Sequence, residues 1–252
     1  MSAFGVTVIG LAVLVGAATA SAETIRLNST NAIQQPMLAL IPVFEQATGH
    51  KVQAIFEPTT AVLERLKTGV PSDLVFLIKG SLQGLKQTGF VRAETEKELA
   101  TVSMGVAVRK GMPVPDLSSV ISFQNFLKAT PTIVVSRVGA SGVEFTKALE
   151  RNGLGELKSR FVLVEGATPT AEAVARGEGT LAVQMMSELK SVEGVVALGP
   201  LPGDFHFQVT VSSAVTAQAG PAASSAAADL VRFLATPVAR ERLRLSGMEP
   251  LL

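Results

Sequence analysis

The 252-residue sequence contains no cysteine, no tryptophan and no tyrosine, and its only histidines are His50 and His206. Thiolate metal sites, iron–sulfur clusters, disulfides and a cysteine nucleophile are thereby excluded. Two imidazoles cannot form a three-histidine metal centre, and the Gly-x-Ser-x-Gly turn that would accompany a Ser-His-Asp triad is missing. Without indole or phenol rings, quaternary ammonium ligands lack their usual aromatic cage. Charge of either sign is not in excess: 22 Lys+Arg stand against 21 Asp+Glu, a formal net charge of +1. That balance leaves no basic footprint for nucleic acid or anionic lipid. No metal and no cofactor is expected.

Long hydrophobic runs are confined to the N-terminus. Residues 1–22 carry no charged side chain, and the apolar run 6–15 is shorter than the roughly 20 residues a bilayer span needs. It leads to Ala20-Ser21-Ala22, a small-x-small cleavage pattern before Glu23. Residues 1–22 are therefore expected to be a cleaved signal peptide, and the mature protein a periplasmic monomer beginning near Glu23. With no cysteine to carry lipid, it should be free of an anchor.

Beyond the leader, short apolar runs alternate with segments of helical periodicity. Strands are expected at 24–27, 51–56, 74–78, 104–108, 132–135, 161–164, 181–184, 195–198 and 209–215. Helices are expected to include Ile33, Met37, Leu38, Ile41 and Phe44, and to span 62–67, 122–128, 143–152, 170–175, 229–234 and 238–245. Residues 217–228 read as an Ala/Ser-rich loop or helix start. The alternation calls for an α/β fold of parallel sheets covered by helices, and the length for two lobes. Twice a strand ends in hydroxyl-bearing residues at a helix start, at Asn28-Ser29-Thr30-Asn31 and at Pro58-Thr59-Thr60. Backbone N–H groups and the positive helix end there would suit an anion.

Several strings, taken in order, carry a family resemblance. They are Phe44-Glu45-Gln46-Ala47-Thr48-Gly49-His50-Lys51-Val52, Gly69-Val70-Pro71-Ser72-Asp73-Leu74, Ala140-Ser141-Gly142, Ala175-Arg176-Gly177-Glu178, Gln184 with Ser187-Glu188-Leu189, and Gly247-Met248-Glu249-Pro250. Over residues 24–250 the chain resembles type II periplasmic binding proteins of the molybdate-binding kind. The resemblance implies two mostly parallel lobes joined by two crossing strands, with the ligand closed between them. Lobe 1 is expected over 23–102 plus 207–252 and lobe 2 over 103–206, with crossings near 101–108 and 203–211.

The molybdate pattern is incomplete here. Its first serine falls on Ala32, Thr59-Thr60 replaces a serine cluster, and its tyrosine is absent. The loop Ala140-Ser141-Gly142-Val143 and the Gln184…Ser187-Glu188-Leu189 segment are similar to a branch that includes aconitate isomerases. The resemblance implies a solute-binding protein of an ABC importer, working with a membrane permease and taking a small anion, an organic carboxylate before molybdate. The alternative is an isomerase that shifts a double bond in a tricarboxylate. Ligand-binding candidates are Ser29, Thr30, Asn31, Thr59, Thr60, Ser141, Gly142 and Gln184. Lys79 and Arg137, at the carboxyl ends of strands, are the cationic candidates. Glu144 is the best-placed carboxylate for proton transfer. His50 is expected to be solvated on a lobe surface, and His206 to be a packed neighbour of Phe205 and Phe207.

Overall fold

The computed structural model describes residues 22–165 and 168–252. The expected signal peptide lies outside these residues except for Ala22. The chain runs β1 (Thr24–Thr30), α1 (Gln34–Thr48), β2 (Lys51–Glu57), α2 (Thr59–Lys67), β3 (Leu74–Ile78), α3 (Lys79–Gln87) and β4 (Lys97–Arg109). It continues with α4 (Val120–Ala129), β5 (Ile133–Ser136), α5 (Ala140–Arg151), β6 (Phe161–Val164), α6 (Thr170–Ala175), β7 (Leu181–Met185) and α7 (Met186–Leu189). Last come β8 (Val195–Leu198), β9 (Gln208–Val215), α8 (Pro221–Leu234), α9 (Pro237–Leu245) and β10 (Met248–Pro250).

The strands lie in the order β2-β1-β3-β9-β4-β7-β5-β6, with β8 and β10 also paired to β4. Parallel pairing joins β1 to β2 and β3, and β5 to β6 and β7. β9 is antiparallel to both β3 and β4. β4 is 13 residues long because it serves two groups of strands. Its first part, from Lys97 to Ser103, pairs with β9, and its second, from Met104 to Arg109, with β7 and β8. The outcome is a mixed α/β fold with a continuous curled sheet.

The local reasons are visible residue by residue. β3 reads Leu-Val-Phe-Leu-Ile and is buried on both faces. Alternation sends Leu74 and Phe76 into the main core and Val75 and Leu77 into a smaller one with Val62, Leu66 and Leu82. α1 buries Met37, Leu40 and Phe44, one helical stripe. Pro42 sits inside that helix, where it removes a hydrogen bond to the carbonyl of Leu38, but Leu38 is exposed and water can replace the donor. Gly49 ends α1 at φ 79°, donating to the Glu45 carbonyl.

The Gly69-to-Leu74 string serves the fold. Asp73, fully buried, accepts from Arg26 Nε at 2.8 Å, from the Arg26 backbone N–H at 2.9 Å and from Arg26 NH2 at 2.6 Å. Burial works against the Asp73 carboxylate, but these hydrogen bonds outweigh it and hold the group below its ordinary range.

Several features differ from the sequence-based expectations. β4, expected over 104–108, begins at Lys97, where β9 offers a partner, and β10 is not among the expected strands. β1 continues through Asn28, Ser29 and Thr30, because β2 offers a parallel partner as far as Glu57. α3 forms despite Gly80 and Gly84, since Leu82 packs into the smaller core and overrides weak helix propensity. Of the two readings of 217–228, loop or helix start, the structure has the helix start, with α8 beginning at Pro221. His50 is buried, not solvated: its ring stacks on Phe44, Nδ1 accepts from the Glu23 backbone N–H at 3.1 Å, and Nε2 lies 3.5 Å from Asp229 Oδ2.

Candidate functional site

Five strands, β1, β2, β3, β5 and β7, end at one crevice, and each hands over there to a helical turn. Open α/β sheets bind ligands at such carboxyl ends. The crevice is a cleft of about 340 Å³. One wall comes from Thr30 and Asn31 after β1 and from Pro58, Thr59 and Thr60 at the start of α2. Opposite stand Ser136, Gly139 and Ser141 at the β5–α5 junction. Gln184 and Glu188 contribute from β7 and α7, while Phe207 and Val209 contribute from the return to the first group of strands.

Three helices of the lining, α2, α3 and α5, start at this cleft without a side-chain cap. The residue before α2 is Pro58 and the one before α5 is Gly139, and neither has an acceptor to offer the first-turn N–H groups. Thr59 Oγ1 donates to Thr30 Oγ1 at 3.0 Å, so the hydroxyls of the first wall form a pair. Asn31 Oδ1 is buried and has no partner among the described residues. On the opposite wall Ser136 Oγ accepts from the Gly139 N–H at 3.0 Å, which folds the loop back onto β5. A side chain at Gly142 would place its Cβ 2.0 Å from the Ser136 carbonyl oxygen, so only glycine lets α5 start this close to β5.

Charge in the cleft is sparse. Glu144 accepts from Arg151 at 3.0 Å and from Lys147 at 3.3 Å. Burial pushes its carboxyl up, but these two cations more than compensate and hold it below the ordinary range. Glu188 behaves oppositely. It keeps some exposed surface yet is packed by protein, and burial pushes its carboxyl up to about 7, against hydrogen bonds from Gln184 and the Met185 backbone. Gln184 Nε2 donates to Glu188 Oε1 at 2.7 Å, and Gln184 Oε1 accepts from the Thr170 N–H at 2.7 Å and from Thr170 Oγ1 at 3.1 Å. No group of three His, Asp or Glu among the described residues is arranged to hold a metal ion.

Of the ligand-binding candidates, Thr30, Asn31, Thr59, Thr60, Ser141 and Gln184 line this one cleft. Ser29 lies behind it, fully buried, its hydroxyl donating to the Thr30 carbonyl. Gly142 also lies behind, packed on Ser136. Neither cationic candidate is among the lining residues: Lys79 pairs with Glu98 and Arg137 with Glu165, all four on the exposed surface. His206 is exposed and outside the lining. Glu188, Ser136, Ser81 and Lys147 were not singled out from sequence. Glu188 stands inside the Ser187-Glu188-Leu189 string, but nothing in a string announces burial.

Comparison with known proteins agrees with this architecture. The family model of the bacterial extracellular solute-binding proteins matches residues 25–249. An aconitate isomerase from Pseudomonas sp is 29% identical over 236 residues, covering 90% of this chain and 88% of that protein. The periplasmic molybdate-binding protein of Azotobacter vinelandii superposes with a TM-score of 0.71 at 16% identity, over 89% of this chain and 98% of that one. The sulfate-binding protein SubI from Mycobacterium tuberculosis H37Rv gives 0.70 at 16% identity, over 91% and 87%. At such identities the solved structures speak for the fold alone, which is that of the type II periplasmic binding proteins. From the extent of the family match, this chain belongs to the bacterial extracellular solute-binding proteins.

Proposed function

We propose that the chain is a periplasmic receptor that captures a small organic carboxylate in the cleft and delivers it to the membrane permease of an ABC-type importer. The observation that carries this reading is the meeting of two uncapped helix N-termini, after Pro58 and Gly139, with the hydroxyls of Thr30, Thr59, Thr60 and Ser141. N–H groups and the positive helix end favour an anion there. Leu63, Ile78, Val138, Val143 and Met185 supply apolar lining, which suits a carbon skeleton that molybdate and sulfate lack. Lys147 is shared with Glu144, so recognition rests on neutral donors. Residues 23–102 with 207–252 would form one lobe and 103–206 the other, closing by bending at β4 and before β9.

A thermal-shift screen of di- and tricarboxylates, molybdate and sulfate tests this reading. A ligand at about 100 times its Kd should raise stability by about 2.7 kcal/mol. Stabilisation by a carboxylate supports the assignment, and stabilisation by molybdate alone overturns it.

A second reading, an isomerase acting on a tricarboxylate, is favoured by the aconitate isomerase relative together with two carboxyls in the cleft, Glu144 and Glu188. Moving a double bond requires a group that removes a proton alpha to a carboxylate and one that returns it at the far allylic carbon. Proton NMR of trans-aconitate with the protein in D2O separates the two functions: signals of an isomer, or exchange at carbon, mean enzyme, and line broadening with neither means receptor.

A further inference from the structure

Glu188 occupies an unusual position for an anion site, a carboxyl lining the cleft with its orientation fixed from behind. Thr170 donates twice to Gln184 Oε1, which prevents the amide from flipping and commits Nε2 to Glu188 Oε1. Glu188 Oε2 takes no hydrogen bond from any described side chain. Gln184 is thus a positioning residue that acts through Glu188.

The surroundings do not neutralise this carboxyl. α7 packs against β4, β7, β8, α1 and α6. The titratable groups on those elements are Glu45, Lys97, Glu98, Arg109 and Glu172. Glu45 pairs with Lys51, Glu98 with Lys79 and Glu172 with Arg176, while Lys97 and Arg109 are exposed at the ends of β4. Within the cleft the charged groups besides Glu188 are Glu144 and Lys147 on the α5 wall, and they pair with each other. Neither histidine lines it. An ionised Glu188 would therefore set one uncompensated negative charge against the negative charge of a ligand.

We propose that the cleft takes up its anion together with one proton, which resides on Glu188 and makes it a hydrogen-bond donor to the ligand. The proposal rests on the reading of the cleft as an anion site and adds the protonation state that this site requires. Its sign follows from linkage. A bound anion raises the Glu188 pKa further, so affinity is full below the pKa of the free protein, about 7, and falls as pH rises through it.

The test uses trans-aconitate and sulfate as probes; sulfate carries its full charge over the whole range, and the last ionisation of trans-aconitate, raised by its two neighbouring carboxylates, is measured on the free ligand and subtracted. Titration calorimetry near pH 7, in two buffers of different ionisation enthalpy, should show uptake of about half a proton per probe bound. The Kd should weaken about tenfold between about pH 6 and pH 8. In Glu188→Gln, whose side chain carries no titrating proton, both signals should vanish. A probe that binds wild-type protein without proton uptake and with a constant Kd overturns the proposal while the anion site stands. A pH dependence that persists in Glu188→Gln also overturns it, since the proton would reside elsewhere. If neither probe binds at either pH, the anion reading fails and the proposal falls with it.

Discussion

Ser187 Oγ donates to the backbone carbonyl of Ala32 at 2.7 Å, joining two buried residues 155 positions apart. Ala32 follows β1 and Ser187 lies in α7 after β7, so the bond ties the two groups of strands together beside the cleft. Ser187→Ala leaves that carbonyl buried without its partner and should cost about 1–2 kcal/mol. Urea denaturation measures this directly, and an unchanged midpoint would show that the contact contributes nothing.

Asp73 should make stability fall in acid. Its folded pKa lies below the unfolded value of about 3.9, so the stabilisation is present above that pH and is lost as pH drops through the folded pKa. Asp73→Asn should lose about 1.5–3 kcal/mol at neutral pH, the range for hydrogen bonds to charged groups. The gap between the two proteins should narrow towards about pH 3, as read from urea midpoints. A gap of constant size would refute the ionic origin.

Gly142→Ala forces a methyl against the Ser136 carbonyl and should destabilise the protein by about 1–3 kcal/mol. The start of α5 must also shift, so trans-aconitate should bind more weakly to whatever fraction remains folded. Calorimetry on folded protein would settle it, full affinity arguing against α5 as a wall of the site.

Arg137→Lys should leave trans-aconitate affinity within about twofold of wild type, because Arg137 spends its charge on Glu165 at the surface. Stability should change by no more than about 0.5 kcal/mol. A tenfold loss of affinity would mean that Arg137 swings into the cleft when the ligand binds.

Intact mass of the protein from a periplasmic extract should correspond to a chain beginning at or near Glu23. That residue is where the fold takes hold, with its N–H on His50 and its carbonyl accepting from Lys51. Recovery with Met1 intact would rule out processing.

The elements were readable where an apolar run is short and cleanly bounded. β3, β6, α6 and β8 have the limits that their sequences suggest. Thr30, Thr59 and Thr60 stand at strand-to-helix junctions, whose places follow from the alternation of elements, whereas Asn28 and Ser29 were drawn into β1 by pairing with β2. Side-chain partners were not readable. Lys79 and Arg137 do follow strands, but Glu98 and Glu165, 19 and 28 residues away, draw their charges to the surface. His50 reads as a residue after a helix-ending glycine, and only the packing of α8 and of Phe44 buries it. The raised pKa of Glu188 is likewise a product of tertiary burial.

The position of β9 between β3 and β4 governs the order in which the chain can be completed. Synthesis delivers β1, β2 and β3 early, yet the neighbour that closes the open side of β3 begins only at Gln208. Until then Leu74 to Ile78, an apolar strand, presents bare N–H and C=O groups along one edge. Such late, long-range pairing is slow. A nascent chain of this topology stays incomplete until nearly its whole length exists, so the open edge of β3 is the last of its borders to be covered.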